Sequence, residues 1–388
     1  MNLGGPAYHV SLLSGRMDPA RFETLLVSGR VPRGEQSSAD LAERYGARHV
    51  NVAHLGPELR PLDDLRALRE VVRIARAFRP HIVHTHTAKA GLIGRLAAEF
   101  CAPRPIVLHT YHGHVLEGYF SRPVAELYRT IERVMALRSD LLIGVSTATV
   151  DDLVRLGVAN RSTFEVVPLG LDLDAFLELP LEPRRTFRDQ LGIAPDVVLA
   201  TFVGRLAPIK RVDILLHALA IARRRGAQVA LAVVGDGELR KELERTATEL
   251  GCAEAVYFVG YRRDLVDIVA ATDVGVLTSD NEGTPVSLIE AGAGGRALVA
   301  TRVGGVSDVV VPGTGLLVSP GDPDAFADAL IAVAASAPER RAMGAAARTH
   351  VGAHYRSEVL LKRMTAVYER LLASRARARA SGARQVAR

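Results

Sequence analysis

Short apolar runs alternate with longer stretches in which apolar residues recur every three or four positions. Between Asp63 and Phe78, the residues Leu65, Leu68, Val71, Val72 and Ala75 fall at helical spacing. Pro80 ends that helix, and His81-Ile-Val-His84 reads as a short strand. A helix over 90–100, a strand over 105–109, a helix over 124–137 and a strand over 141–145 continue the pattern. The stretch from Asp172 to Pro195 carries Pro180, Pro183 and Pro195 and reads as a linker. Beyond it, strands are expected at 197–203, 229–234, 255–259, 273–277, 297–300 and 315–318. Helices are expected at 212–224, 238–250, 265–271 and 284–294, with three more near 323–335, 337–353 and 357–373. Continuous apolar strands alternating with helices specify parallel sheets covered on both faces. The pattern therefore predicts two α/β halves facing each other across a cleft.

The expected boundaries are 1–175 for the first domain and 176–355 for the second. A helix over 356–373 returns to the first domain, and a basic disordered tail occupies 374–388. The chain opens on Asn2-Leu-Gly-Gly-Pro6, a tight turn of the kind that follows a central first strand and cradles phosphate. No strand pattern precedes it. Either translation starts further upstream, or the first domain lacks that central strand.

Composition narrows the class. With 48% hydrophobic and 24% charged residues, fibrous and wholly disordered classes are excluded. Two cysteines, Cys101 and Cys252, are too few for a disulfide framework and point to a reducing compartment. No run of about 18 apolar residues exists, and Met1 to Val10 does not read as a signal peptide. The expected location is cytoplasmic. The net charge of +6 falls to +1 without the five arginines at 375, 377, 379, 384 and 388. With aromatics at 5% and no Trp, a nucleic-acid partner is not expected. The basic tail instead suits an anionic membrane surface, which places the protein peripherally at the inner face of the cell membrane.

The strongest chemical signal is Ser279-Asp-Asn-Glu282-Gly-Thr-Pro285-Val-Ser-Leu-Ile-Glu290-Ala-Gly, directly after an apolar strand. It predicts a helix N-terminus at the carboxyl end of a parallel strand, where free N–H groups favour a phosphate or sugar. Glu282 and Glu290 could each hold hydroxyl groups of an extended ligand, or serve as a cap and a solvated side chain. In Gly204-Arg205-Leu-Ala-Pro-Ile-Lys210, two cations on one loop could clamp a diphosphate. Val234-Gly-Asp-Gly237 adds a strand–Gly-x-Gly–helix turn, a weak signal taken alone.

Together these segments resemble the retaining glycosyltransferases of family four, the glycosyl transferases group 1, from Gly4-Gly5-Pro6 to the C-terminal helices. The resemblance implies a GT-B fold of two Rossmann-like domains. It implies that Glu282, Gly283, Thr284 and Pro285 hold the donor sugar and Glu290 the ribose. It further implies that Arg205 and Lys210 grip the diphosphate, that Gly5 approaches the phosphates, and that Tyr261 and Arg262 seat the base. His112, in His109-Thr-Tyr-His112-Gly-His114, looks like the family histidine beside the reacting carbon. His84 and His86 fall on the acceptor side, and Gly118-Tyr-Phe120 in an acceptor loop. The histidine spacing matches no compact metal set, so neither a metal nor another cofactor is expected.

The implied activity is retaining, metal-independent transfer of a hexose from a nucleotide diphosphate sugar, with uridine the base, to a glycan or lipid-linked glycan. A 2-epimerase acting on UDP-N-acetylglucosamine shares this fold and is the main alternative. An NAD-dependent oxidoreductase fits poorly, because Arg240 stands where the third glycine belongs. A binding protein without catalysis is a further alternative.

Overall fold

The computed structural model describes residues 5–30, 39–56, 58, 60–113, 116, 121–181 and 185–386. Gly4, His114 and Gly118 to Phe120 lie outside the described residues. The chain forms two compact units, Met1–Leu171 with Ser357–Arg388, and Asp172–Arg356.

The first unit begins with α1 (Gly5–Arg16), β1 (Leu26–Gly29), α2 (Ala39–Arg44), β2 (His49–Val52) and α3 (Pro61–Phe78). It continues through β3 (Ile82–His86), α4 (Ala88–Glu99), β4 (Ile106–Tyr111) and α5 (Arg122–Ala136). Then come β5 (Leu141–Gly144), α6 (Thr147–Arg155) and β6 (Phe164–Val166). The six strands lie in two parallel sheets, β1-β2 and β3-β4-β5-β6. Alternation along β4 divides the core. Ile106 and Leu108 pack with Leu12 of α1 and Leu41 of α2, whereas Tyr111 packs with Ala136 of α5 and Leu153 of α6.

The second unit opens with α7 (Asp174–Leu177), α8 (Thr186–Gln190), β7 (Val198–Val203), α9 (Val212–Arg224), β8 (Val229–Val234) and α10 (Arg240–Glu249). It continues with β9 (Val256–Gly260), α11 (Leu265–Ala271), β10 (Val274–Leu277), α12 (Val286–Ala293) and β11 (Ala297–Thr301). The last elements are α13 (Val306–Val309), β12 (Gly315–Val318), α14 (Pro323–Ala335) and α15 (Ala337–His354). All six strands form one parallel sheet in the order β12-β11-β10-β7-β8-β9. Its central strands read as unbroken apolar runs because both faces are covered by helices.

The last helix, α16 (Ser357–Val386), joins the first unit, where Leu360, Met364 and Val367 enter the core beside α1. Over 374–386 it is helix where a disordered tail is expected from 374 to 388. Ala and Arg are strong helix formers, so the basic segment simply extends the docked helix.

Candidate active site

Close-packed glycines set the spacing of three loops in the second unit. Gly204 N–H donates to Val234 O at 2.9 Å, and Gly235 N–H donates to Gly260 O at 2.8 Å. The loops that follow β7, β8 and β9 are thereby laid side by side. Gly235 has φ +132°, and a Cβ there would sit 1.9 Å from Gly204 O. Only glycine fits this position.

The loop after β7 is also stitched to the loop after β10. Asp280 N–H donates to Ile209 O at 2.9 Å, and Thr278 Oγ1 donates to Lys210 O at 3.1 Å. This stitching puts Lys210 Nζ in hydrogen-bond contact with Glu282 Oε1, which also accepts from Ser279 Oγ at 2.6 Å. The backbone of Glu282 is held as well: its carbonyl accepts from Gly305 N–H at 3.0 Å. Gly304, at φ +45°, leaves no room for a Cβ against that same oxygen.

Arg205 turns to a different carboxylate. Its side chain is 65% exposed and pairs with Glu238 at 3.3 Å, so the structure brings Lys210, and not Arg205, to Glu282. Glu282 precedes α12, which begins at Val286 with Pro285 as its N-cap residue, slightly later than the pattern predicts. Pro285 supplies no side-chain cap, and the positive dipole end of the helix lies at the carboxyl end of β10. Gly283 and Thr284 are half-buried in the turn before it. Glu290 lies within α12, and burial pushes its carboxyl up to about 7. Tyr261 and Arg262 follow β9. Tyr261 is half exposed, whereas Arg262 forks onto Asp264, with Nε 2.7 Å from Oδ1, and covers the Phe187 ring.

In the first unit, Gly5 opens α1, and a histidine group forms where β3 and β4 end. His84 bridges Tyr368 Oη and Thr110 Oγ1, each at 2.7 Å. His86 Nδ1 lies 3.0 Å from His112 Nε2. Pattern reading missed a fourth member, His9 of α1. It is fully buried, its ring centroid is 4.9 Å from that of His112, and neither ring nitrogen has a hydrogen-bond partner. Nitrogens of His9, His86 and His112 lie within 4.8 Å of one another, a donor set able to hold a metal ion. Sequence spacing hides it, because α1 supplies one residue and the ends of β3 and β4 the others. Burial pulls His9 and His84 down to about 3, and His86 and His112 well below the usual imidazole value. These rings are therefore neutral at pH 7 and offer hydrogen-bonding nitrogens without charge. His109 faces the other way, into the core against Gly91, with Nδ1 2.8 Å from Thr85 Oγ1.

Two family models match most of the chain: Glycosyltransferase Family 4 over residues 3–175, and Glycosyl transferases group 1 over residues 183–350. The D-inositol 3-phosphate glycosyltransferase of Streptomyces avermitilis is 30% identical over 371 residues, 89% of this chain and 79% of that protein. The chain belongs to glycosyltransferase family 4, the glycosyl transferases group 1. A second relative of this family 4 chain is the Escherichia coli UDP-Gal:alpha-D-GlcNAc-diphosphoundecaprenol alpha-1,3-galactosyltransferase. It is 28% identical over 277 residues, 70% of this chain and 71% of its own. Among solved structures, Anabaena HepE in complex with UDP has a TM-score of 0.79 at 23% identity, covering 94% of this chain and 96% of its own. Sucrose-phosphate synthase from Thermosynechococcus elongatus has a TM-score of 0.75 at 24% identity, covering 94% and 93%. The family 4 chain thus has the GT-B fold, and its family favours glycosyl transfer over the epimerase alternative.

Proposed function

We propose that this glycosyltransferase moves a hexose from a UDP-sugar, with retention of anomeric configuration, to a hydroxyl of a glycan or lipid-linked glycan. The observation that carries the reading is the Lys210–Glu282 pair, held by two stitched loops beside the start of α12. Cleavage of the sugar–phosphate bond builds negative charge on the departing diphosphate. Lys210, Arg205 and the N-terminal amides of α12 supply fixed positive charge for it, so the reading asks for no divalent ion there. Glu282, with the backbone of Gly283, Thr284 and Pro285, is assigned to the donor sugar. Glu290 is assigned to the ribose, Tyr261 and Arg262 to the base, and Gly5 to the phosphates.

On the acceptor side the reading assigns His112, His84 and His86. A neutral imidazole at His112 can hydrogen-bond the sugar and help order the acceptor hydroxyl, whose proton passes to the departing phosphate when attack comes on the face the diphosphate leaves. UDP in the solved HepE complex and the diphosphoundecaprenol acceptor named for the E. coli relative support the donor and acceptor classes. No helix among the described residues is long and apolar enough to cross a membrane. The reading therefore places the enzyme peripherally at the inner face of the cell membrane, drawn there by the arginines of α16.

Thermal stabilisation and slow hydrolysis of UDP-glucose, UDP-galactose, UDP-N-acetylglucosamine and GDP-mannose test the assignment. Stabilisation by a UDP-sugar together with its hydrolysis, the hydrolysis alone lost in Glu282→Ala, is the expected result. Acceptor-free conversion of UDP-N-acetylglucosamine to its 2-epimer would reject it.

A further inference from the structure

A cavity of about 320 Å³ lies at the amino end of the second unit's sheet. Two of its lining residues mark the place: Asp273 directly precedes β10, and Arg296 directly precedes β11. Lys210 and Glu282 instead follow β7 and β10, at the carboxyl ends of parallel strands. The cavity is therefore one strand length away from them, roughly 13–20 Å. Ligands of open α/β sheets ordinarily bind beyond the carboxyl ends, so the donor-side reading leaves this cavity unused.

Arg185, Arg188, Arg296, Arg340 and Arg341 line it, against one carboxylate among the described residues, that of Asp273. That carboxylate is already shared. Its Oδ2 accepts from Arg188 Nη1 at 2.7 Å and from Leu199 N–H at 2.8 Å, and Arg340 Nε lies 3.7 Å from Oδ1. Backbone carbonyls take further N–H groups. Arg188 donates to Ala271 O and Ala194 O, each at 3.3 Å. Arg296 donates to Leu181 O at 2.8 Å and Pro180 O at 2.9 Å, and Arg340 donates to Val333 O at 2.8 Å. A carbonyl satisfies a donor without cancelling its formal charge, so the lining keeps a surplus of positive charge.

The same contacts fix three of the guanidinium groups in place. Helix α15 adds charge of the same sign: its first residue, Ala337, lines the cavity, and a helix N-terminus is partly positive. Holding the chain before β7 against the sheet accounts for Arg188 and Arg296. It does not account for Arg185 and Arg341, which are exposed and line the same cavity.

We propose that this cavity binds a small anion bearing two or more phosphate groups. Arg188, Arg296 and Arg340 supply a fixed cationic floor, and the planar forks of Arg185 and Arg341 take phosphate oxygens at the rim. Its volume falls at the lower end of the range of small-molecule sites, about 300–1,000 Å³. The proposal does not depend on the transferase reading.

The test is calorimetric titration of the full chain with inorganic pyrophosphate, with UDP at saturation so that the donor side is filled. The titration is repeated on Lys210→Ala without UDP. Pyrophosphate is expected to bind in both, more weakly as salt rises, and orthophosphate to bind about tenfold less tightly. R185E/R341E should lower pyrophosphate affinity about tenfold or more, with circular dichroism and melting temperature unchanged. Should that variant unfold early, R185Q/R341Q carries the same test with a loss of several fold. R375A/R377A/R379A should bind as wild type does. No binding up to about 10 mM pyrophosphate would overturn the proposal. So would unchanged affinity in the Arg185 and Arg341 variants, or binding lost in Lys210→Ala, which would put the ion at the donor loops. Failure of wild-type protein to bind UDP would count against the transferase reading and leave the Lys210→Ala titration to decide this one.

Discussion

Lys210 and Glu282, 72 residues apart in sequence, share a direct hydrogen bond between Nζ and Oε1. Neither side chain is fully solvated, and Ser279 Oγ fixes the carboxylate from a second direction. The contacts fix both side chains without a ligand, and in the proposed function this is the donor side. That is the condition under which fixed charge lowers a barrier without reorganising.

Glu282→Ala should reduce turnover by about 100-fold or more while UDP affinity stays within a few fold. Lys210→Ala should also reduce it strongly, and the double variant should lose less than the product of the two single effects. Steady-state kinetics with UDP-binding calorimetry checks this. Independent, multiplicative losses would mean the contact has no part in turnover.

Chelation separates the donor chemistry from the histidine group. Activity should survive EDTA and phenanthroline, because the diphosphate is assigned to Lys210, Arg205 and backbone amides. An activity lost on chelation and restored by a divalent ion would place an ion in the reaction, with His9, His86 and His112 as its nearest described donor set.

Glu290 has a folded-state value of about 7 against about 4.5 when free, so between these values the native state holds a proton that the unfolded chain has released. Its contribution to stability must therefore fall as pH rises from about 4.5 towards 7. Melting curves of wild type and Glu290→Gln between pH 5 and 7.5 should converge at the acid end, with wild type declining more steeply on the way up. Parallel curves would mean that this carboxyl is not raised.

His9 produces the opposite slope. Burial holds it at about 3 against an ordinary 6.5, so the unfolded chain binds a proton that the native state refuses. The stability this gives is present above pH 6.5 and is lost as pH falls towards 3. His9→Leu removes both the titration and two unpartnered nitrogens, and should unfold at lower pH than wild type. Acid titration followed by circular dichroism measures it.

Gly235→Ala should destabilise the second unit by about 2–4 kcal/mol, since the new methyl group meets Gly204 O and the backbone sits at positive φ. Urea unfolding gives the number, and UDP affinity should fall with it. A loss below 1 kcal/mol would show that these loops part easily.

The second unit was legible in sequence because its strands are unbroken apolar runs, such as Val229–Val234, divided by amphipathic helices. The first unit was legible only from α3 onward. β1, Leu-Val-Ser-Gly, and β2, His-Val-Asn-Val, are too short and too polar on one side to stand out from loop. The short α6 and β6 were missed for the same reason. The motif around Glu282 revealed which residues to watch. Its partner is not legible in sequence: the shared loop groups Lys210 with Arg205, but loop-to-loop hydrogen bonds deliver it to Glu282. His9 escaped notice because a lone histidine in a helix carries no spacing signal.

The division of the first unit's strands into two sheets has a dynamic consequence. Among the described residues β3 pairs with β4 alone, so the strand bearing His84 and His86 is an edge, whereas β7 and β10, whose loops carry Lys210 and Glu282, have partners on both sides. Half of the amides of β3 lack a ladder partner and should exchange with solvent through small local openings, while those of β7 should wait for opening of the whole sheet. The candidate residues thus differ in support: the loops of Lys210 and Glu282 follow strands paired on both sides, whereas His84 and His86 sit on an edge strand. If the proposed roles hold, the donor side is the stiffer of the two and the edge strand bearing His84 and His86 is where differently shaped hydroxyl groups can be accommodated.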